Sequence, residues 1–244
     1  MKTVAIIQAR MGSTRLPGKV MKQLKGQSVL YHVIERVKQV KMIDEIVVAT
    51  TTLEEDDILA EKVNQYGIRV FRGSSENVLS RYYEAAKECE ADVVVRITSD
   101  CPLIDPLIIN KMLEFYNKYN YEVVTNAGSD LEKRTYPRGL DTEIFSFKLL
   151  RNAMKNGKKM YHIEHVTPYI YENSENIYHF MNDEDFSNYR CTLDTPEDFL
   201  LISKLYDELY QGEHSFYLKE IISIFQKNPD YFKINSHIEQ KQLN

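Results

Sequence analysis

Short, almost uninterrupted apolar runs alternate along this chain with longer stretches in which apolar positions recur every three or four residues. "TVAIIQA" reads as a first strand. In "SVLYHVIERVKQV", Val29, Leu30, Val33, Ile34 and Val37 fall at helical spacing. "EIVVAT" predicts the next strand, and "EEDDILAEKVNQYG" a helix closed at Gly67. "IRVF" follows as a strand, and "SENVLSRYYEAAKE" as a helix capped by Ser75, with Val78, Leu79, Tyr82, Tyr83 and Ala86 on one face. "DVVVRIT" is a fourth strand, and Pro106 opens a helix running to about Tyr119.

Repeated strand–helix units with continuously apolar strands imply an α/β fold, in which a mostly parallel sheet is covered on both faces. Ligands then collect beyond the carboxyl ends of the strands, where the segments after the first and fourth strands both emerge. Past "YEVVTN" the regularity weakens. "AGSDLEKRTYPRG" is a polar connection, "LDTEIFSF" a strand, "EHVTPYIYEN" helical and "NDEDFSN" an acidic turn. "YRCTLDTPEDFLLISKLYDEL" reads as a short strand entering a helix, with Thr195 as N-cap, Pro196 at the first helical position and Asp198 three residues after the cap. One more amphipathic helix is expected beyond about Gln211. The expected organisation is a main domain over 1–210, with accessory elements near 126–185, followed by a helical tail over 211–244.

Composition changes this picture little. A chain of 244 residues, 43% hydrophobic and 27% charged, can bury a substantial core. A net charge of −5 excludes a generally basic, nucleic-acid-binding surface. Cys89, Cys101 and Cys191 are odd in number and widely spaced, which suggests neither a disulfide framework nor a zinc ribbon. The opening apolar run gives way at once to Gln8 and Arg10, and no stretch approaches the length needed to span a bilayer, so a cytoplasmic protein is expected.

Against that acidic background, "ARMGSTRLPGK" concentrates Arg10, Arg15 and Lys19 around Gly12 and Gly18, directly after the first strand. The glycines enclose five residues where a P-loop has four, and Val20 stands where its Ser or Thr would be. The loop is either a solvated basic turn or a cradle for phosphate oxygens, and its place at the ligand edge favours the cradle. Asp100 in "TSDCP" leaves the fourth strand at the same edge, where it serves as a turn former or faces a ligand. Asp194 in "LDTPED" precedes a cap that Thr195 already supplies, while Glu197 and Asp198 suit the helix dipole. His162 and His165 flank Glu164 in a spacing that matches no zinc-peptidase pattern. Asp183, Glu184 and Asp185 form a D-x-D triplet, but late in the chain and in a solvated turn.

"QARMGSTRLPGKV" strongly resembles the opening signature of sugar-activating cytidylyltransferases, nearest to the SpsF group of spore-coat polysaccharide proteins and similar to CMP-KDO synthetases. "FRGSSENVLSRYYEAA", "SDCPLIDP", "YPRGLDTEIF", "EHVTPYI" and "LDTPEDF" follow in the order of that pattern, over about residues 3–205. The resemblance implies a Rossmann-like three-layer αβα nucleotidyltransferase fold of GT-A type. It implies CTP held by Ala9, Arg10, Gly12, Ser13 and Lys19, and a base bordered by Arg72, Gly73 and Ser75. It implies Mg²⁺ on Asp100 and Asp194, with Arg10, Arg15 and Lys19 stabilising the triphosphate and the leaving pyrophosphate. Arg138, Asp141, Glu164 and His165 would line the pocket of an acidic sugar acceptor, and relatives are commonly homodimers. A glycosyltransferase, a nucleotidyltransferase using another NTP, and a non-catalytic nucleotide-binding subunit remain the alternatives.

Overall fold

A computed structural model of the chain describes residues 1–127 and 130–239. Gly128 and Ser129, within the expected polar connection, and 240–244, at the end of the expected tail, lie outside the described residues. The frame is a seven-stranded sheet. Strands β1 (Thr3–Gln8), β4 (Glu45–Thr51), β5 (Arg69–Gly73) and β6 (Val93–Thr98) are the four apolar runs of the sequence. They lie parallel in the order β5-β4-β1-β6. Between β1 and β4 the chain forms the small antiparallel ladder β2 (Gln23–Leu24) and β3 (Gln27–Ser28).

Beyond β6 the sheet continues through β8 (Glu143–Ser146), β7 (Val123–Thr125) and β9 (Ile177–His179). Strand β8 is antiparallel to both its neighbours, while β7 and β9 run parallel to each other. The sheet is therefore mostly parallel, and its one reversed strand is the "EIFS" expected as a strand from its pattern.

Alternation along β1 sends Ala5 and Ile7 to one apolar layer and Val4 and Ile6 to the other. The first layer is covered by α1 (Val29–Val37), α2 (Asp57–Gln65), α4 (Pro106–Lys118), α8 (Pro196–Leu209) and α9 (Leu218–Lys227). The second is covered by α3 (Val78–Glu88), α5 (Phe147–Asn156), the short α6 (Met160–His165) and α7 (Pro168–Asn173). The final turn α10 (Pro229–Lys233) packs against α9.

Helix starts follow local chemistry. Ser28 accepts from the Tyr31 N–H at 3.1 Å, and Asp105 from the Leu107 N–H at 2.8 Å, with Pro106 following. Thr195 and Asp198 form the expected capping box on α8.

Four expectations need correction. Asn77, not Ser75, caps α3, accepting from the Ser80 N–H at 2.7 Å, because Ser74 already turns the chain through the N–H groups of Glu76 and Asn77. The helical segment over 164–173 is two short helices, since Val166 takes a left-handed φ of 70° between them. The segment before Asp194 joins no sheet ladder; it is extended backbone with a single bridge between Arg138 and Arg190. Residues 211–239 pack into the main apolar layer through Phe216, Ile221 and Phe225 and carry two helices rather than one.

Candidate active site

The loop after β1 is fastened at both ends. The Ala9 N–H donates to the Ala49 carbonyl at 3.1 Å, continuing the β1–β4 register one residue past the strand. The next amide but one, Met11 N–H, donates to the fully buried Asp56 at 2.6 Å, and Asp56 also accepts from the Thr51 hydroxyl. The Met11 carbonyl then accepts from both Ser13 and Gly18, closing the loop on itself. Leu16 and Val20 are buried and anchor the far side, and Gly18 takes a φ of +63° that hands the chain to Lys19. At position 12 a Cβ would stand 2.9 Å from Oε1 of the exposed Glu55, whose side chain has room to turn aside. Arg10 and Arg15 are left on the exposed side of this frame.

The fourth parallel strand lies beside the first, and the Ser99 N–H donates to the Gln8 carbonyl at 3.1 Å. The two loops leaving the ligand edge are therefore neighbours, and Asp100 faces Lys19. The segment leading to α8 is bonded to the same place, through the Leu193 N–H and the Asp100 carbonyl at 2.8 Å. Lys19 Nζ stands 2.7 Å from Asp100 Oδ2 and 2.8 Å from Asp194 Oδ1, bridging two carboxylates that are 94 positions apart, at 100 and 194. Arg15 and Arg190 add contacts of 3.1 and 3.0 Å to Asp194 Oδ2.

Burial opposes charge on Lys19, but the two carboxylates outweigh it and hold its pKa above the usual value. Burial likewise pushes Asp100 up, and Lys19 overrides it, so its carboxyl titrates below the ordinary range. Both groups are charged at neutral pH.

A single positive centre already sits between the two carboxylates, and all of the donor atoms around it are hard oxygens. This donor set fits a Mg²⁺-type cation, which takes one or two protein carboxylates and completes its shell with phosphate and water oxygens. Among the described residues, no group of three or more His, Cys, Asp or Glu side chains is placed to hold a metal ion, so a cation here would rest on these two carboxylates alone.

Sequence reasoning missed the support behind Asp194. Arg190 Nη2 donates to Asp194 Oδ2 at 3.0 Å and is shared with Asp198, onto which Nε and Nη2 fork at 2.9 and 3.0 Å. Asp198 also accepts from the N–H groups of Asp194 and Thr195 at 2.9 and 3.1 Å. It is more than a first-turn acid serving the dipole: it orients Arg190 and the backbone of Asp194 together. Asn235, from the C-terminal segment, closes the set by donating to the Arg190 carbonyl at 3.0 Å and Asp198 Oδ1 at 2.8 Å. The alternation Arg190, Thr192, Asp194 in extended chain could have marked Arg190 as sharing a side with Asp194. Nothing local marks Asn235.

The other expected residues divide. Arg72 donates to the carbonyls of Thr51 and Leu53 and pairs with Asp57, fastening β5 to the turn after β4. Gly73 is required by packing, since a Cβ there would stand 2.8 Å from the Phe71 ring and 3.3 Å from Arg81. Arg81, unmarked in the sequence, is buried beneath this loop, donates to the Ser74 carbonyl at 2.8 Å and leaves its buried Nε without a partner. Burial and, to a smaller degree, nearby Arg10 push its pKa down.

Arg138 is held beside the Asp194 segment by backbone bonds to Tyr189 and Cys191. Gly139 permits that approach: its φ is +98°, and a Cβ would fall 2.4 Å from the Cys191 backbone. Arg134, also missed, pairs with Asp141 at 2.6 Å and keeps a buried, unpartnered Nε. Glu164 and His165 lie on α6, on the α3 side of the sheet, whereas Leu16, Val20, Cys101 and Leu193 anchor the Lys19 centre in the opposite layer. His162 bonds Glu172 at 3.0 Å, and the 183–185 acids are exposed, with Asp185 capping the Ser187 N–H.

A basic, glycine-containing loop after the first parallel strand, joined by a lysine to carboxylates from two further segments, is the arrangement expected of a nucleotidyltransferase. Comparison with known proteins bears this out and narrows it. The family model described as "Cytidylyltransferase" matches residues 4–238. The spore coat polysaccharide biosynthesis protein SpsF of Bacillus subtilis (strain 168) is 36% identical, over 92% of this chain and 94% of its own. The structure of a cytidylyltransferase from Leptospira borgpetersenii superposes with a TM-score of 0.88 at 36% identity, over 99% of this chain and 100% of that one. A CMP-2-keto-3-deoxy-manno-octonic acid synthetase complexed with CTP shares the fold, with a TM-score of 0.67 at 22% identity over 85% and 99% of the two chains. The chain belongs to the cytidylyltransferase family, and it is a CTP-dependent nucleotidyltransferase.

Proposed function

We propose that this enzyme transfers CMP from CTP to a hydroxyl of an acidic sugar, of the nonulosonate or KDO type, and releases pyrophosphate for surface-polysaccharide synthesis. The observation that carries the reading is the Lys19 ammonium held between Asp100 and Asp194 at the edge where the β1 and β6 loops meet. The acceptor oxygen bonds to the α-phosphorus of CTP while the bond to the pyrophosphate oxygen breaks, and the hydroxyl proton passes to solvent. Such a displacement asks chiefly for alignment and charge neutralisation.

Arg10, Arg15 and Lys19 would hold the triphosphate and take up charge building on the leaving pyrophosphate. The backbone of Ala9, Gly12 and Ser13 lines the same loop, and Gly73 and Ser75, with Arg72 fastening their strand, border the base. Asp100 and Asp194 would hold Mg²⁺, which when bound neutralises phosphate charge and lowers the pKa of a coordinated hydroxyl. Arg138, which has no hydrogen-bond or ion-pair partner among the described side chains, and Asp141 would meet the acceptor beside Asp194, with Glu164 and His165 at its far margin. The resemblance to CMP-KDO synthetases supports the acidic acceptor, and the SpsF relationship supports a polysaccharide setting. The enzyme would work as a homodimer in the cytoplasm. No helix among the described residues is long and apolar enough to cross a membrane.

A screen of sugar acids with CTP and Mg²⁺, read by pyrophosphate release, tests the proposal. A CMP-sugar product is expected, and Lys19→Ala should lose at least about 10²-fold in turnover, as for loss of a charge-stabilising donor. Full activity in that variant would sink the loop's role. Transfer of a sugar from a nucleotide-sugar donor, or CTP binding without turnover across the whole panel, would replace this reading with the glycosyltransferase or the non-catalytic subunit.

A further inference from the structure

Asp194 accepts from three cations: Lys19 at 2.8 Å on one oxygen, and Arg15 and Arg190 at 3.1 and 3.0 Å on the other. The same Lys19 ammonium holds Asp100 at 2.7 Å, and Arg190 also pairs with Asp198 through Nε and the shared Nη2. Three cations thus face three carboxylates, and the formal charges of the cluster cancel. A divalent ion arriving alone must take the place of an ammonium bound by two carboxylates. It then adds two positive charges beside Lys19, Arg15 and Arg190 with nothing to offset them, at contact distances where like charges repel strongly. Arriving with a polyphosphate, the ion meets neither obstacle, because phosphate oxygens give the displaced ammonium and the guanidiniums new partners.

The backbone suits such an exchange. Lys19 is fixed at its amide, which donates to the Leu16 carbonyl, and by the burial of Val20 next to it. Its four-carbon stem can therefore swing while the loop stays in place.

We propose that Lys19 makes entry of a divalent cation between Asp100 and Asp194 conditional on a polyphosphate, passing its ammonium from the carboxylates to the phosphate oxygens as the two enter together. The inference rests on the reading of Asp100 and Asp194 as metal-holding residues. It adds that this pair discriminates the metal–nucleotide complex from free metal, and that Lys19 is the discriminating group.

Mn²⁺ serves as the probe, its free fraction followed by electron paramagnetic resonance at pH 8 with protein alone and with a non-hydrolysable α,β-methylene CTP. The wild type should take up Mn²⁺ with the analogue and bind it at least about tenfold more weakly without. Lys19→Met, which keeps the apolar stem, should bind bare Mn²⁺ about tenfold or more tighter than the wild type. Lys19→Gln is the second variant should the first fail to fold, and Lys19→Arg should behave as the wild type. Equal binding of bare Mn²⁺ by the wild type and both neutral variants, with the analogue still bringing Mn²⁺ to the wild type, overturns the gate and leaves the metal site standing. Absence of Mn²⁺ binding in every form with the analogue present, or binding unaffected by Asp100→Asn and Asp194→Asn, overturns the metal site and the gate with it.

Discussion

Asp198 has no exposed surface, and its two oxygens receive Arg190, Asn235 and the amides of Asp194 and Thr195. A buried carboxylate with this many donors fixes the position of whatever leans on it. Here that is Asp194, whose backbone and side chain are both tied to the Arg190–Asp198 pair. Asp198→Ala leaves the Arg190 guanidinium buried beside fewer carboxylates, and removing one partner of a buried pair typically costs about 3–5 kcal/mol. Urea denaturation of that variant should show a loss of this order, and Asp198→Asn a smaller one. A loss under about 1 kcal/mol for the alanine form would show that the pair is dispensable. Of the site's residues, the basic loop, Asp100 and Asp194 were legible because each sits in a compact motif at a strand or helix end. Arg190, Asp198 and Asn235 act through contacts that only the closed fold makes, so their local contexts read as ordinary strand, helix cap and tail.

Among elements, the pairing of 138–140 with 189–192 decides where the Asp194 segment lies. It depends on Gly139, whose φ of +98° and 2.4 Å clearance from the Cys191 backbone admit no side chain. Gly139→Ala should therefore separate the two segments, lowering stability by about 2 kcal/mol or more and weakening CTP binding. A variant that melts like the wild type and binds CTP equally would contradict this account. The parallel half of the sheet was readable from β1, β4, β5 and β6, because strands buried on both faces become unbroken apolar runs. The other half was less so. β7 and β9 have three residues each, and β9 is only half-buried, too short to show a period. β8 was visible as a strand, but nothing in "EIFS" states its direction, which is set by the β6 and β7 ladders on either side. The break at Val166 was equally hidden, since a β-branched residue gives no sign of a left-handed turn.

On the scale of the whole molecule, the C-terminal segment is structural rather than appended. Arg36 on α1 donates to the carbonyls of Ile104 and Phe216, and His214 meets His32 at 2.8 Å in a cage of aromatic rings. His32 Nε2–H donates to the Leu24 carbonyl, so its Nδ1 accepts from His214, and both rings are neutral in the fold. Burial first of all pushes His32 down to about 4 and His214 to about 3. An unfolded chain takes up these protons near pH 6.5, so stability is full above that value and falls as pH drops toward about 4. The loss from His32 alone is roughly 3 kcal/mol. Melting temperatures at pH 7.5 and 5 should diverge in the wild type and diverge less in His214→Phe, which keeps only the His32 share; equal pH dependence in both would remove His214 as a contributor.

The cancellation of charge around Lys19 also has a consequence for how fast the substrate arrives. A strongly basic cleft draws an anion from a distance, and its capture rate drops steeply as salt screens the field. In this molecule three of the site's cations are matched by three carboxylates at contact range, Arg10 and Arg138 are left unmatched among the described side chains, and the chain as a whole carries −5. Little attraction extends beyond the pocket mouth, so the triphosphate is recognised on contact instead of being steered there. Stopped-flow association of CTP should accordingly hold steady or quicken as ionic strength rises, and a steep decline would reveal a long-range pull that this arrangement does not supply.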